Sequence, residues 1–197
     1  MPPKYLIALL LATVSTSLAG VITVTSVTAS STFYSYNVDN LIDGAGLSGG
    51  LHDDNFPNMW MNNGGSTATL VFNLGAIYSL DSTSIWNYNA DCCGLNRGTQ
   101  SLNILVSTDD VNFALVGSFS GIPEGTGAPI AADTLSLSGA VAQWVEFDIT
   151  SNYGAPYTGL SAVQFSAGPA GAPEPSSGLL LLAAAAGGFL CRRRMSA

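Results

Sequence analysis

The sequence predicts an all-β domain, an antiparallel sandwich or barrel, built from many short strands. Residues 67–74, TATLVFNL, place Leu70, Phe72 and Leu74 on one face and polar side chains on the other, as in a strand that is buried on one side. Similar runs recur between clusters of Gly, Asn, Asp and Pro, and no segment of residues 20–166 sustains an apolar period of 3.6 residues. Short strands separated by turn residues are typical of sandwiches and barrels.

Seven runs carry this strand signature in chain order. In the sixth, Val145, Phe147 and Ile149 share one face opposite acidic side chains. The segment STDDVNF predicts a tight hairpin, because Asp109 and Asp110 have side chains that hydrogen-bond a turn. The predicted strands are residues 67–74, 84–88, 101–107, 114–119, 133–138, 143–149 and 161–166.

The N-terminal residues 1–19 have the pattern of a secretory signal peptide. Lys4 precedes an apolar stretch over residues 5–14, and Ser17 and Ala19 provide small side chains at positions −3 and −1 of a cleavage site. We therefore expect signal peptidase to act here, so that the mature chain starts near the following residue. The alternative is a buried N-terminal helix.

The C-terminal end combines a linker, an apolar run and a basic cluster. Residues 167–177 are rich in Gly, Pro, Ala and Ser, which is typical of a linker. The run that follows is free of charge until Arg192, Arg193 and Arg194. It is shorter than the roughly 20 residues that a membrane-spanning helix needs. Arginines beside such a span stay in the cytoplasm, so residues 178–197 predict a marginal transmembrane helix with a cytoplasmic C-terminus.

The charge distribution excludes nucleic acid as a partner. The chain has 13 acidic residues and 5 Lys and Arg. Without Lys4, Glu174 and the three C-terminal arginines, twelve acidic residues remain against the single base Arg97. Such a body repels phosphate backbones and anionic lipid headgroups. Its acidity favours a soluble domain outside the cytoplasm.

Six segments within residues 23–166 carry a family resemblance when they are taken in order. They are TASSTFYSYNVDNLIDG, NMWMNNGGSTATLVFNLG, SIWNYN, RGTQSLNILVSTDDVNF, QWVEFDITSNYG and GLSAVQF. Together they resemble the discoidin or coagulation factor 5/8 C-type domain family, and family 32 carbohydrate-binding modules share the jelly-roll sandwich of that family. The resemblance implies a discoidin-like jelly-roll β-sandwich over residues 20–166, with a galactose-binding-like fold.

The resemblance also implies a ligand site at one end of the sandwich, formed here by residues 32–37, 44–59 and 89–98. Arg97 offers a planar guanidinium with five donors for sugar oxygens, and Tyr34 or Tyr36 offers a ring for stacking. A local ion pair between Arg97 and an acid such as Asp91 is the alternative. The tryptophans are expected in the core. The candidate ligand-binding residues are Tyr34, Tyr36, His52, Asp53, Phe56, Asn89, Asp91 and Arg97.

Discoidin-like domains often hold a structural calcium beneath the binding loops. By position, the resemblance implies Asp43, Asn55 and Asn58 as its ligands. The chain departs from the family at Ala162, where a glutamate is common, so one carboxylate oxygen is missing. Calcium takes six to eight oxygens, which leaves a filled site and a weak or absent one both open. No other cofactor is expected.

Cys92 and Cys93 are adjacent, and an exported chain is exposed to oxidation. Neighbouring Cα atoms lie about 3.8 Å apart, below the usual separation for a disulfide of about 4.4–6.8 Å. A vicinal disulfide, an intermolecular bridge and two free thiols therefore stay open. Zinc shared with His52 is a further alternative, although four ligands are not evident.

The tail has Pro173, Glu174 and Pro175, then the apolar run, then the three arginines. In this order of features it is similar to the PEP-CTERM sorting signal of Gram-negative bacteria. This resemblance implies an inner-membrane intermediate, cleavage by an exosortase-type protease and release to the cell surface or extracellular matrix. The helix would then hold the membrane only transiently, as in other removable anchors. An uncleaved single-pass anchor and an apolar helix packed on the sandwich are the alternatives.

Catalysis has little support in the sequence. A Ser-His-Asp arrangement would depend on His52, and no glycine pattern of a nucleophile elbow surrounds any serine. Asp53, Asp54 and Asp91 could form a carboxylate pair as in glycosidases, but that chemistry also needs a cleft. We therefore predict an exported, non-catalytic module that binds glycan or exopolysaccharide. The alternatives are a structural protein of the matrix or surface, and a glycan hydrolase.

Overall fold

The computed structural model describes residues 20–168, which contain eleven β-strands, four short 3₁₀ helices and no α-helix. No helix within this part of the chain is long and apolar enough to cross a membrane. The 3₁₀ helices are Val38–Leu41, Phe56–Asn58, Asp91–Cys93 and Leu95–Arg97. The strands are Gly20–Ile22 (β1), Ser26–Ala29 (β2), Leu47–Ser48 (β3), Leu51–His52 (β4), Trp60–Met61 (β5), Ala68–Asn87 (β6), Thr99–Ser107 (β7), Ala114–Ser120 (β8), Ile130–Ala131 (β9), Asp133–Asn152 (β10) and Gly159–Ala167 (β11).

Several predictions made for the chain ends fall outside these residues. The signal peptide at residues 1–19 is one, and the transmembrane sorting segment at residues 178–197 is another. The linker predicted for residues 167–177 lies outside them from residue 169 onwards. These assignments stay predictions.

Two long antiparallel strands, β6 and β10, organise the sheet. Residues 70–73 of β6 pair with β2 on one side, and residues 68–73 pair with residues 144–149 of β10 on the other. Residues 80–87 of β6 pair instead with β11, and within them residues 82–85 pair with residues 133–136 of β10. The strand order is β1-β11-β6-β10-β7-β8, with β2 on β6 and β5 on β11, and β3, β4 and β9 form a small separate sheet. Each long strand thus contributes one half to each layer of a sandwich, which confirms the all-β, jelly-roll prediction.

The division of the two long strands in the sequence analysis is wrong. Residues 67–74 and 84–88 belong to the single strand β6, and residues 133–138 and 143–149 belong to β10. The segments between them contain Gly75 (φ 79°) and Gly139 (φ 77°) and coincide with shifts in the register of pairing. Glycine adopts positive φ without steric cost, and here it permits a bulge that bends the strand instead of a turn that reverses it.

The core lies between the two layers. Phe72 and Phe147, on neighbouring strands of one layer, have ring centroids 5.0 Å apart, and Phe165 of the other layer lies 5.3 Å from Phe72. Trp60 and Trp86 are buried as expected, whereas Trp144 is half-buried. Since β6 and β10 both bend, their four ends meet at one end of the sandwich.

Candidate functional site

An aromatic cluster lies at the end of the sandwich where the ends of β6 and β10 meet. The ring centroid of Phe33 lies 4.8 Å from that of Tyr34, 5.3 Å from Tyr157 and 6.2 Å from Tyr36. Such separations are typical of interacting rings. Four different loops supply its members, which are Phe33, Tyr34, Tyr36, Phe56, Tyr88 and Tyr157.

The guanidinium of Arg97 lies against this cluster. Its Cζ atom is 5.5 Å from the ring centroid of Tyr157, within cation–π range. Its Nη1 atom lies 3.5 Å from the hydroxyl oxygen of Tyr88 and 3.6 Å from Sδ of Met61. Within residues 20–168, the ion pairs closer than 4.0 Å comprise only His52 with Asp53. The ion pair between Arg97 and Asp91, which was the alternative, is therefore not formed.

The phenol next to Arg97 does not neutralise it. The hydroxyl oxygens of Tyr36 and Tyr88 are 2.9 Å apart. Burial raises the pKa of Tyr88 far above its ordinary value, and the hydrogen bond with Tyr36 raises it further. The hydrogen bond and charge of Arg97 lower this pKa by less. Tyr88 therefore stays neutral at physiological pH and supplies no opposite charge to the guanidinium.

Tyr34 is the most exposed member of the aromatic cluster. Its side chain is 90% exposed, and its φ of 31° lies in the left-handed region. A bulky residue rarely adopts this conformation, and such strain tends to persist where it serves a site. Phe56 is also exposed. Tyr36 is buried, and its hydroxyl contacts that of Tyr88 inside the domain. This corrects the expectation that the ring of Tyr36 is offered to a ligand for stacking.

Asn89 is fully buried, which corrects its prediction as a ligand-contacting residue. Its Nδ2 atom donates to the carbonyl oxygens of Asp53 (3.1 Å) and Ala128 (2.7 Å). Its Oδ1 atom accepts from the backbone N–H groups of Thr126 (2.8 Å) and Gly127 (2.9 Å). All four hydrogen-bonding positions of the amide are thus used by loop backbone. The side chain holds the loop at residue 53 against residues 126–128.

Other buried asparagines brace the remaining loops in the same way. Asn87 donates to the carbonyl oxygens of Thr99 and Pro123, each at 2.8 Å. Asn40 donates to those of Pro57 (2.7 Å) and Met59 (2.8 Å). Asn62 and Asn152 hold the turns at residues 64–67 and 154–157. Buried polar groups are stable only when they are hydrogen-bonded, and these amides meet that condition with loop backbone.

His52 is fully buried, so the prediction that it contacts a ligand is also corrected. Its Nδ1 atom lies 2.9 Å from the carbonyl oxygen of Asp53. The ring fills the space beneath Gly46, where a Cβ atom would lie 2.7 Å from Cε1 of His52. The side chain therefore supports the loop from inside. Its burial also leaves no surface for a catalytic base.

The two acidic candidates lie at the surface around this end of the sandwich. Asp53 is 38% exposed, and its carboxylate accepts from the side-chain amide of Asn58 (2.8 Å) and the backbone N–H of Asn55 (3.1 Å). Asp91 is exposed at the start of a 3₁₀ helix. Neither carboxylate neutralises Arg97.

The residues proposed for calcium fit that ion poorly. The carboxylate of Asp43 accepts from the backbone N–H of Ala45 (2.8 Å), and Asn58 turns its amide N–H towards Asp53. Within residues 20–168, no three His, Cys, Asp or Glu side chains are grouped as metal ligands. Ala162, in the place of the family's glutamate, is buried in β11. Calcium needs several converging anionic oxygens. Among Asp43, Asn55 and Asn58, only Asp43 carries a carboxylate.

Cys92 and Cys93 are joined by a vicinal disulfide, which confirms the first of the three alternatives. Cys92 is exposed, and Cys93 packs against the buried group of Tyr36, Met59, Met61, Tyr88 and Ala90. The disulfide therefore lies beside the aromatic cluster, on the loop that carries Arg97. Zinc shared with His52 is not supported, because both sulfur atoms are oxidised.

Comparison with solved structures identifies the fold. Truncated AlyQ, a chain with CBM32 and alginate lyase domains, aligns with a TM-score of 0.58 and 18% identity, over 80% of this chain and 35% of that one. The family 32 module of C. perfringens NanJ, solved with galactose, aligns with a TM-score of 0.56 and 14% identity, over 76% of this chain and 99% of that one. Residues 20–168 have the discoidin-like fold of family 32 carbohydrate-binding modules. No family model and no curated protein matches the sequence.

Further family 32 and lectin domains share this fold. The CBM32 of AlyQ, solved with 4,5-unsaturated mannuronic acid, aligns with a TM-score of 0.54 and 18% identity, over 74% of this chain and 97% of that one. The lectin domain of lectinolysin, solved with Lewis B antigen, aligns with a TM-score of 0.54 and 16% identity, over 71% and 90%. At these identities the comparison establishes the architecture of the family 32-like domain.

Three members of the aromatic cluster are absent from the predicted ligand-binding residues. Phe33 lies within a predicted ligand loop but was not selected there. Tyr88 directly follows β6, and its contact with Arg97 depends on the 3₁₀ helices that intervene. Tyr157 comes from the loop after β10, which was not among the predicted ligand loops. The signal that could have found Tyr157 is an aromatic between Pro156 and Thr158, in a segment without strand alternation.

Proposed function

We propose that this protein is an exported, non-catalytic module that binds glycan or exopolysaccharide through the aromatic cluster and Arg97. The observation that carries the proposal is the position of Arg97 against Tyr157, beside the exposed ring of Tyr34. A sugar presents apolar C–H faces that pack on rings and oxygens that accept from a guanidinium. The site has both groups at the loop end of the sandwich.

The ligands of the similar structures support this assignment. Those modules were solved with galactose, with Lewis B antigen and with 4,5-unsaturated mannuronic acid. Those ligands belong to those proteins. For the present chain, they support glycan as the class of ligand to test first.

A non-catalytic role agrees with the state of Asp53 and His52. Asp53 accepts hydrogen bonds from Asn55 and Asn58, so it braces its own loop. His52 is buried beneath Gly46. A hydrolase would need an accessible acid and base beside the bound sugar. Turnover of a bound glycan would contradict this part of the proposal.

The delivery route is proposed from the chain ends. Signal peptidase would remove residues 1–19, and an exosortase-type protease would cleave near Pro173, Glu174 and Pro175. The inner membrane of a Gram-negative bacterium would hold the intermediate through residues 178–197, and the product would reach the cell surface or matrix. The intact mass of the protein from its native host tests this route. We expect a chain from about Gly20 to near the Pro-Glu-Pro motif, and recovery of the complete tail would indicate a permanent anchor.

A glycan array tests the binding function. Residues 20–168 have their own core and form a compact unit, so they can be used alone. We expect selective binding to a subset of glycans, with and without chelator, and loss of that binding on Arg97→Ala without loss of the folded state. Asn63→Ala, at an exposed position of the same end, is the control. A parent domain that binds no glycan would instead favour a structural protein of the matrix or surface.

A further inference from the structure

Arg97 is the only lysine or arginine among residues 20–168, which contain twelve acidic residues. None of these carboxylates lies within 4.0 Å of its guanidinium. From this isolation we propose that the site selects sugars that carry a carboxylate, with the uronic acids as the ligand class. The inference rests on the proposed glycan-binding function and specifies the ligand of the same site.

The hydrogen bonding of Arg97 leaves most of its donors available. Among the described residues, only Nη1 has partners, and these are the neutral oxygen of Tyr88 at 3.5 Å and Sδ of Met61 at 3.6 Å. A guanidinium has five N–H donors in one plane, arranged to bind a carboxylate through two parallel hydrogen bonds. A neutral hydroxyl would use only one of them. The geometry therefore favours an anionic acceptor.

Burial strengthens this preference. Arg97 is half-buried, and its neighbours are aromatic rings and a thioether. A cation that is partly removed from water gains most from an ion of opposite charge. The nearby acids do not supply that ion, since Asp53 is held by Asn55 and Asn58 and Asp91 forms no ion pair with Arg97. The ligand is then the group that neutralises the site.

The apolar part of a uronic acid also has a partner at this site. Tyr157 lies beneath the guanidinium, and Tyr34 is exposed at the edge of the aromatic cluster. A pyranose ring can pack its C–H face on these rings while its carboxylate reaches Arg97. Inorganic anions lack that face, and we therefore infer an acidic sugar as the ligand.

The acidic surface restricts the length of the ligand. A body with eleven net negative charges repels a long polyuronate. At physiological ionic strength this repulsion acts within about 8 Å of the surface, so it affects the sugar units that lie along the domain. Arg97 can therefore attract one carboxylate at contact, while further carboxylates along the acidic surface are repelled. We infer binding of a terminal uronate or a short oligouronate.

Isothermal titration of residues 20–168 with matched ligands tests the inference. The probes are trimers of galacturonate, glucuronate and mannuronate, their methyl esters and the corresponding neutral trimers. The ester keeps the ring and its substituents but removes the charge. We expect at least one acid to bind about tenfold more tightly than its ester, the fold-change that separates a charged from a neutral hydrogen bond.

Variants of Arg97 link the selectivity to this residue. Arg97→Gln should abolish the difference between acid and ester, and Arg97→Lys should keep part of it, because lysine retains the charge without the planar pair of donors. If Arg97→Gln does not fold, the affinities of the parent and of Arg97→Lys for acid and ester test the inference instead. The difference between acid and ester should then be smaller for Arg97→Lys than for the parent. Equal binding of acid and ester, or binding of the neutral trimers alone, would overturn the inference and leave glycan binding intact. A parent that binds no glycan on the array would overturn both.

Discussion

Arg97 and Tyr157 are separated by 60 positions in the sequence, yet the guanidinium carbon lies 5.5 Å from the ring centroid. The pair brings the loop after β6 together with the loop after β10. Because both long strands bend at glycine-containing bulges, their ends meet at one end of the sandwich and make this contact possible. Within residues 20–168 only Nη1 of the guanidinium has hydrogen-bond partners, so its other N–H donors are available to a ligand.

Replacement of Tyr157 should weaken binding by removing an apolar face. Tyr157→Ala should lower the affinity for the best glycan of the array by about tenfold, since an aromatic contact and a cation–π interaction are both lost. Tyr157→Phe should bind like the parent, because the ring is kept and its hydroxyl forms no hydrogen bond within residues 20–168. Titration calorimetry measures the affinities. Equal binding by the alanine variant would place the ligand away from this ring.

Reduction of the vicinal disulfide should weaken binding. The Cys92–Cys93 pair lies on the loop that carries Arg97, and Cys93 packs on the buried side of the aromatic cluster. Since Cys92 is exposed, a phosphine reductant can reach it. We expect a loss of affinity of several fold after reduction, with the same far-ultraviolet circular dichroism spectrum.

The double variant Cys92→Ser, Cys93→Ser is the control for this experiment. It should bind as the reduced parent does and should not respond to the reductant. A parent whose affinity is the same before and after confirmed reduction would contradict a role of the disulfide in positioning the loop.

Calcium should have little effect on stability. The carboxylate of Asp43 accepts a hydrogen bond from the Ala45 N–H, the amide of Asn58 donates to Asp53, and Ala162 supplies no carboxylate. An ion present far below its dissociation constant does not stabilise the folded state. We expect the melting temperatures in 1 mM calcium and in 1 mM chelator to agree within about 1 °C. A shift of about 5 °C or more, equivalent to roughly 2 kcal/mol for a domain of this size, would reveal a site.

Local features of the fold were predictable from the sequence. The prediction of a turn at Asp109 is correct. The carboxylate of Asp109 accepts hydrogen bonds from the backbone N–H groups of Val111 and Asn112, only two and three residues away. The alternation of Leu70 and Phe72 likewise gave the correct buried face. These features depend on neighbours in the chain, which the sequence displays directly.

Long-range features were not predictable in the same way. Asn89 looks like a polar loop residue, and its burial arises from contacts with Asp53 and Ala128, 36 and 39 residues distant. Tyr157 joins the aromatic cluster only because the loops converge. Gly75 has the same sequence signature in a bulge as in a turn. Pairing across the sheet decides between the two, and this pairing has no local signal.

The pH dependence of stability should include a contribution from Asp109. Hydrogen bonds from Asn112, Val111 and Ser107 hold the pKa of its carboxyl group well below its usual range. A lowered folded-state pKa stabilises the protein above the unfolded value near 4, and this stabilisation is lost as pH falls towards the folded-state value. Urea unfolding of the parent and Asp109→Ala should therefore differ most at pH 7 and least near pH 2. Asp54→Ala, at an exposed loop position, is the control and should follow the parent throughout.

Removal of the Asn89 amide should cost both stability and binding. Asn89→Ala leaves the carbonyl oxygens of Asp53 and Ala128 and the N–H groups of Thr126 and Gly127 without their buried partner. We expect the free energy of unfolding to fall by about 2 kcal/mol or more, as for other buried hydrogen-bonded groups. Urea unfolding measures this loss. The affinity for the best glycan of the array should fall as well, because residues 53 and 126–128 lose their common support.

The substitution Asn89→Asp separates hydrogen bonding from shape. The carboxylate keeps the one oxygen that accepts from the Thr126 and Gly127 N–H groups. Its second oxygen replaces the amide nitrogen and faces the carbonyl oxygens of Asp53 and Ala128, to which the amide donated. A buried unpaired carboxylate is strongly unfavourable and raises its own pKa. The variant should therefore be less stable than Asn89→Ala at pH 7 and should recover part of the difference at pH 4, where the group is protonated and donates one hydrogen bond. An Asn89→Asp protein as stable as the parent at pH 7 would show that solvent reaches this amide and that the loops are held by other contacts.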